Sequence, residues 1–286
     1  MVHMDTQTST LLLPSSRRDR IVEELDRLGT VRSDDLARRF EVSPETIRRD
    51  LLRLEELGVA RRIFGGATRS AGRAVEPPFE ERRVANLAPK QAMARVAAGL
   101  VCDGDTLIFD VGTSVAEVAR ALPAGLRGRA LTNSLQSATE LATRPGLEVL
   151  LSGGRLREGD LALSGPETVR FFEDYYADRV FLGSGGVDVA AGLTDYHLDE
   201  IAVRRVLLRH STERFVLADS TKIGHVAVGR VCPLEAITAV VTDELADPAA
   251  VGALRAAGVE VLVAPLIAPA PSGRSTVAPE RSDSHE

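Results

Sequence analysis

Tryptophan is absent, cysteine occurs twice, and of 35 basic residues only Lys90 and Lys222 are lysine. Cys102 and Cys232 stand alone, without the paired spacing of a zinc site or the clustered count of a disulfide framework. That points to a reducing cytoplasm and to two small core residues. No apolar run reaches the ~20 residues of a membrane span. Leu11-Leu12-Leu13 is too short, in too polar a setting, for a secretory signal. No metal-ligating cluster is legible and no cofactor is expected. These absences describe a soluble cytoplasmic protein with no membrane partner.

What is present divides in two. A chain of 286 residues with 44% hydrophobic content suffices for about two globular domains. Residues 17–73 hold 14 arginines against 11 acidic residues, a net +3, so a total of −6 leaves −9 on the remainder. Residues 1–16 and 267–286 are rich in Ser, Thr, Pro, Ala or charge without periodicity and read as disordered tails. Residues 68–78, with Gly72 and Pro77-Pro78, read as a linker between a unit at 17–67 and a larger one at 79–266.

In the smaller unit, Ser43-Pro44 is a helix start: a hydroxyl to cap free N–H groups, then proline where no donor is needed. Ile47, Leu51 and Leu54 recur on one face and Gly58 follows as a C-terminal cap, which predicts a helix over about 44–57. The opposite face carries Glu45, Arg48, Arg49 and Arg53 with Thr46 beside them. Upstream, Ser33 is expected to cap a short helix with Asp34 and Asp35 in its first turn and Leu36, Ala37 and Phe40 pointing inward. Glu41-Val42 supplies the turn. A third helix, Arg17 to Leu28, presents Ile21, Leu25 and Leu28 and stops at Gly29. Val59 to Phe64 carries Arg61 and Arg62 into Gly65-Gly66, which suits a two-stranded wing. The sum is a winged helix-turn-helix. Its candidate DNA-binding residues are Ser43, Glu45, Thr46, Arg48, Arg49, Arg53, Arg61 and Arg62, with phosphate contacts giving affinity and base edges giving selectivity.

From Lys90 onward, helical runs at about 90–100, 115–122, 135–143, 198–210 and 248–257 alternate with β-rich runs. The latter are Thr106–Phe109, Arg129–Thr132, Glu148–Leu151, Arg179–Leu182, Arg214–Leu217, Ile237–Val241 and Val259–Val263. Such alternation gives an α/β domain whose mostly parallel sheet is covered by helices on both faces. Ligands bind such sheets beyond the carboxyl ends of the strands. There the chain places Asp110-Val111-Gly112-Thr113-Ser114, Asn133-Ser134, Ser152-Gly153-Gly154, Gly183-Ser184-Gly185-Gly186 and Asp219-Ser220-Thr221-Lys222. Loops of glycine and hydroxyl residues that lead into helices suit a phosphate. In a chain that has otherwise replaced lysine with arginine, Lys90 and Lys222 suggest positions that need a compact ammonium.

The run Ser43 to Gly58, above all Thr46-Ile47-Arg48-Arg49-Asp50-Leu51, together with Gly65-Gly66-Ala67, resembles the DeoR/GlpR family of bacterial transcriptional regulators. The similarity continues through Lys90, Asp110–Ser114, Thr132–Ser134, Gly153-Gly154 and Asp219–Lys222, over roughly 17–265. The resemblance implies an effector domain similar in fold to ribose-5-phosphate isomerase and glucosamine-6-phosphate deaminase, which bind phosphorylated sugars. Carried over, the isomerase phosphate site corresponds to Gly112, Thr113 and Ser114 with Lys90 and Lys222. Asp110 departs from the isomerase's glycine and fits the regulators, where its carboxylate could accept a sugar hydroxyl. The effector-binding candidates are thus Lys90, Asp110, Gly112, Thr113, Ser114, Asn133, Ser134, Gly153, Gly154, Gly186, Asp188, Asp219 and Lys222.

Isomerase chemistry needs a carboxylate base and charged groups that steady an enediolate. The chain offers Asp188, and Glu200 with Asp199 in a different local pattern, an incomplete set. His197 reads as a polar lining or surface residue. The expectation is therefore a non-enzyme: a regulator, most often a repressor of a sugar-metabolism operon. Its partners would be operator DNA, a phosphorylated sugar and further copies of itself. The alternative is an isomerase-like enzyme fused to a DNA-binding domain.

Overall fold

The computed structural model of the chain describes residues 14–56, 60–69, 76, 78–157 and 159–266. At its N-terminal end lie α1 (Pro14–Leu28), β1 (Thr30–Arg32), α2 (Ser33–Phe40), α3 (Pro44–Glu56), β2 (Ala60–Ile63) and β3 (Gly66–Arg69). Helical periodicity buries Ile21 and Leu25 of α1, Leu36 and Ala37 of α2, and Ile47, Leu51 and Leu54 of α3 in one cluster with Val31, Ala60 and Ala67. Ser43 caps α3 as its sequence implies: the Thr46 N–H donates to Ser43 Oγ at 3.1 Å.

Four local expectations are corrected. The wing has three antiparallel strands in the order β1–β3–β2, because Val31 belongs to the core and brings Thr30–Arg32 against Gly66–Thr68. Ser33 does not cap α2: Arg32 holds the cap position without a side-chain bond, and the Ser33 N–H donates to Gly65 O at 2.8 Å, tying helix to wing turn. Residues 14–16, expected in a tail, form the first turn of α1. Thr68 and Arg69, expected in the linker, pair with Arg61 and Ala60. The Gly58 cap, the linker residues 70–75 and 77 and the tails at 1–13 and 267–286 lie outside the described residues.

The larger unit runs α4 (Phe79–Val84), α5 (Leu87–Ala98), β4 (Thr106–Phe109), α6 (Thr113–Ala121), β5 (Gly128–Thr132), α7 (Leu135–Leu141), β6 (Leu147–Leu151), β7 (Arg155–Arg157), β8 (Ala162–Ser164) and α8 (Pro166–Glu173). It continues with β9 (Ala177–Leu182), β10 (Gly186–Asp188), β11 (Gly192–Asp195), α9 (Leu198–Arg209), β12 (Ser211–Leu217), β13 (Gly229–Cys232), β14 (Ala239–Asp243), α10 (Pro248–Ala256) and β15 (Glu260–Ala264). Seven of these strands form a parallel sheet in the order β15-β14-β12-β9-β4-β5-β6. Alternation along β4 sends Leu107 and Phe109 into one apolar cluster, with Val115, Val118 and Leu141. It sends Ile108 into the other, with Phe172, Ile201 and Leu207. Helices therefore cover both faces, as the strand and helix alternation requires.

Strands β5 and β6 extend one way from β4, whereas β9, β12, β14 and β15 extend the other. The order reverses between β4 and β9, and the connections leave that point in opposite directions, opening a crevice at the carboxyl ends of the two strands. Around its mouth stand smaller elements not expected from the sequence: α4, the antiparallel β7–β8 hairpin and the antiparallel sheet β10–β11–β13. Cys232 is buried, as a core residue should be, but Cys102 is exposed. Among the described residues no helix is long and apolar enough to cross a membrane.

Candidate functional sites

On α3, the first two turns turn Glu45, Arg48 and Arg49 to solvent, the Arg48 and Arg49 side chains being 63% and 80% exposed. Glu45 lies 3.3 Å from Arg48 and 3.8 Å from Arg49, pairs that solvent makes weak and exchangeable. Ser43 and Thr46 hydroxyls are 2.8 Å apart at the helix start. Arg53 is exposed one turn further along. In the wing, the Arg62 N–H donates to Glu55 Oε1 at 2.8 Å, fixing β2 against the end of α3 while the Arg62 side chain stays exposed. The Arg61 side chain is outside the described residues. The structure thus brings Glu45, Thr46, Arg48, Arg49 and Arg53 to the outer side of α3, with Ser43 at its start.

One positioning contact escaped the sequence reading. Asp50, two residues beyond Arg48, is buried and pairs with Arg17 at 2.5 Å and Arg18 at 3.5 Å, so α1 sets the rotation of α3. Burial of an aspartate on the apolar side of α3, in phase with Ile47 and Leu54, is the signal that demanded a cationic partner.

The second site is a polar cavity at the β4/β9 reversal. Its floor is the α6 N-terminus: Gly112, at φ 130°, turns the chain out of β4 so that Thr113 and Ser114 open the helix, and all three line the cavity. An L side chain at Gly112 would be strained at that φ. Lys222, whose Nζ donates to Ser184 O, lines the same space. Helix N–H groups, two hydroxyls and an ammonium are groups that suit an anion.

The remaining walls are charged. Arg204 on α9 is buried among Asp110 (2.6 Å), Asp195 and Glu200 (3.2 Å). Burial disfavours its charge, yet the three carboxylates hold it protonated well above the ordinary range. Burial raises the Asp110 carboxyl. Burial also raises Glu200, to about 7, against the pull of Arg204. Burial opposes ionisation of Asp195 too, but Arg204 and the N–H groups of Tyr196 and His197 outweigh it, and its pKa falls. From Glu200 the line of charge continues outward: Arg157 contacts Glu200 and Asp160, Arg82 reaches Asp160 at 3.0 Å and Glu76 at 2.9 Å, and His197 Nε2 lies 3.2 Å from Glu76.

Of the residues expected to meet ligand, Gly112, Thr113, Ser114 and Lys222 line the cavity, and the others stand behind it. Asp110 is fully buried, bonded to Arg204 and to the Gly183 N–H at 3.0 Å, so it orients Arg204 instead of meeting a sugar. Lys90 donates to the carbonyls of Arg82 and Ala85 and thereby secures the end of α4; burial lowers its pKa to about 8. Asn133 donates to Leu163 O at 3.0 Å, Ser134 Oγ caps α7, and Thr168 donates to Gly153 O at 2.7 Å beside Gly154. These four residues dock the β7–β8 hairpin and α8 on the sheet. Gly186 pairs with Thr194, and Asp188 accepts from the N–H groups of Ala190 and Ala191, closing the β10–β11 turn. Asp219 accepts from Thr221 and, at 3.4 Å, from Asn86.

The cavity residues not foreseen are Glu76, Phe79, Arg82, Arg157, Asp160, Asp195 and Arg204, and Glu200, weighed from the sequence only as a catalytic acid, lines the cavity with them. Among the described residues one group has the composition of a metal site, Glu76, Asp160 and His197, with ligand atoms within 4.8 Å of one another. Arg82 and Arg157 already occupy those carboxylates, which is the arrangement of an ion-pair network.

Residues 17–71 match the family described as the DeoR-like helix-turn-helix domain, and residues 85–244 match the DeoR C terminal sensor domain. An uncharacterized HTH-type transcriptional regulator, YulB, of Bacillus subtilis (strain 168) is 33% identical over 255 residues, 89% of this chain and 98% of its own. The glycerol-3-phosphate regulon repressor of Escherichia coli (strain K12) is 31% identical over 229 residues, 80% of this chain and 90% of its own. Among solved structures, ribose 5-phosphate isomerase A from Methanocaldococcus jannaschii aligns with 46% of this chain and 52% of its own at TM-score 0.34 and 18% identity.

Proposed function

The chain belongs to the DeoR family of transcriptional regulators, and we propose that it represses a sugar-metabolism operon and leaves its operator when a phosphorylated sugar occupies the cavity at the β4/β9 crevice. The observation that carries this reading is the cavity floor: Gly112, Thr113 and Ser114 at a helix N-terminus with Lys222 across from them. The site is concave, as small-ligand sites are, and its occupant is a small ligand. Polar and charged walls suit a hydroxylated one. The relative whose name specifies glycerol 3-phosphate supports a phosphorylated polyol or sugar as the class.

The enzyme reading has less support. Asp188 closes a turn outside the cavity, and Glu200, the other available acid, is bound by Arg157 and Arg204. Neither stands ready as a base. On the DNA side, one reading helix per chain implies use in pairs on repeated half-sites, so the larger unit supplies an oligomer interface.

The test is fluorescence anisotropy of duplex DNA from the gene's own upstream region, titrated with protein, without and with phosphorylated hexoses, pentoses and glycerol phosphate. Specific binding released by one compound supports the reading. Specific binding that no compound releases refutes the effector class, and absence of specific binding refutes the operator role.

A further inference from the structure

Seven of the eight phenylalanines are buried or half-buried, and Phe64 is fully exposed. It stands at the tip of the wing. Ile63 pairs with Gly66, so Phe64 and Gly65 are the two-residue turn between β2 and β3. Gly65, at φ 79°, takes the corner that needs a positive φ. Phe64 fills the other, where proline or a small polar residue is the ordinary choice and an exposed ring buries nothing for the fold. The turn is held from three sides. β3 lies between β1 and β2, the Ser33 N–H donates to Gly65 O at 2.8 Å, and the Arg62 N–H donates to Glu55 Oε1 at 2.8 Å at the end of α3. The ring is therefore presented at a fixed position relative to α3. Arg62 on β2 and Arg32 on β1, which pairs with Gly66, are both exposed and put a guanidinium on each outer strand beside the tip. An apolar ring between two cations suits a polyanion with an apolar interior.

Resting on the reading of α3 as the helix that enters the major groove, we propose that Phe64 is a minor-groove wedge: the wing tip crosses the DNA backbone and inserts the phenyl ring at a base step of the neighbouring minor groove, with Arg32 and Arg62 on the phosphates beside it. That groove, ~6 Å wide, excludes a helix and admits a single side chain. Insertion partly unstacks the step, a cost offset by burial of the ring and by the extra surface that the kinked duplex wraps. Pyrimidine–purine steps deform most readily, so one of these is the expected place. Rigid presentation favours the wedge, because a ring ordered before binding loses little entropy on insertion.

The test is anisotropy titration of the upstream duplex with the full-length chain and its Phe64→Ala and Phe64→Leu forms over a range of salt, together with the emission of 2-aminopurine placed at successive adenines of that duplex. The wild-type chain should brighten the probe at one step. Phe64→Ala should abolish that signal and weaken binding about tenfold, within the range of a single base–aromatic contact. Its plot of log affinity against log salt should keep the wild-type slope, since no phosphate contact is lost, whereas Arg62→Ala should make the slope shallower by about one. Phe64→Leu, still an apolar wedge, should recover most of the affinity and the brightening. Equal losses in both Phe64 variants, wild-type affinity in Phe64→Ala, or a duplex in which no step brightens would each overturn the wedge. So would a lower assembly mass of Phe64→Ala without DNA, which would make the tip a contact between copies. If the wild-type chain does not bind the upstream duplex specifically, the operator reading fails first and takes this one with it.

Discussion

At Arg204, one guanidinium is buried with three carboxylates, and burial raises two of them, Asp110 and Glu200. The Glu200 carboxyl regains its proton at about 7 in the fold, against 4.5 in the unfolded chain, with burial the main cause. Between those values the native state holds a proton that the unfolded state has released, so stability falls as pH rises through this window. Glu200→Gln should flatten that part of a melting-temperature profile between about pH 4.5 and 7, whereas Asp199→Asn, on an exposed neighbour, should not. Identical profiles for wild type and Glu200→Gln would show that Glu200 ionises normally. The cavity's own chemistry is tested at Lys222. Lys222→Ala should leave DNA affinity intact and abolish release by effector, and a variant that responds at wild-type concentrations removes Lys222 from the site.

Elements carry the geometry, and the wing shows how tightly. A Cβ on Gly66 would lie 1.9 Å from the Val31 carbonyl oxygen, a backbone atom that moves only if β1 moves. Gly66→Ala should therefore destabilise the DNA-binding unit by about 1–3 kcal/mol, measured by circular dichroism in denaturant. A change of a few tenths would mean that β1 shifts at little cost. The seven sheet strands were legible because each is an apolar, β-rich run between loops, whatever its neighbours do. Elements of three residues such as β1, β7, β8 and β10 were not, since their pairing is tertiary: Val31 needs the α1–α3 core, and Arg155–Arg157 needs Ala162–Ser164 across a turn. The same distinction divides the sites. Gly112–Ser114 and Lys222 could be read because strand-end loops of that composition announce an anion site locally. Arg82, Arg157 and Arg204 could not, since arginine is the common cation of this chain and marks nothing by itself. One signal was present: on α9, Glu200 and Arg204 recur in phase with Ile201, Leu207 and Leu208, and charge on an apolar face requires partners.

For the whole molecule, the separation of charge separates the tasks. A net +3 lies on residues 17–73 and −9 on the rest of the chain, and the cavity's arginines are each paired with carboxylates. Arg49→Ala should cost on the order of 1–3 kcal/mol of operator affinity if it reads a base edge while leaving effector binding unchanged, the mirror image of Lys222→Ala. Neither defect alone explains regulation, because one α3 offers Glu45, Thr46, Arg48, Arg49 and Arg53, a half-site's worth of contacts. On the proposed reading two copies at fixed spacing read two half-sites, and an effector that alters the spacing loses both sets of contacts together. That logic requires association through the larger unit. Sedimentation equilibrium at micromolar concentration should therefore give an even multiple of the chain's mass, undiminished by Arg49→Ala, which lies on the opposite task. A monomer under those conditions would leave α3 with single-site affinity only, and release would then have to act on the helix itself instead of on the distance between two of them.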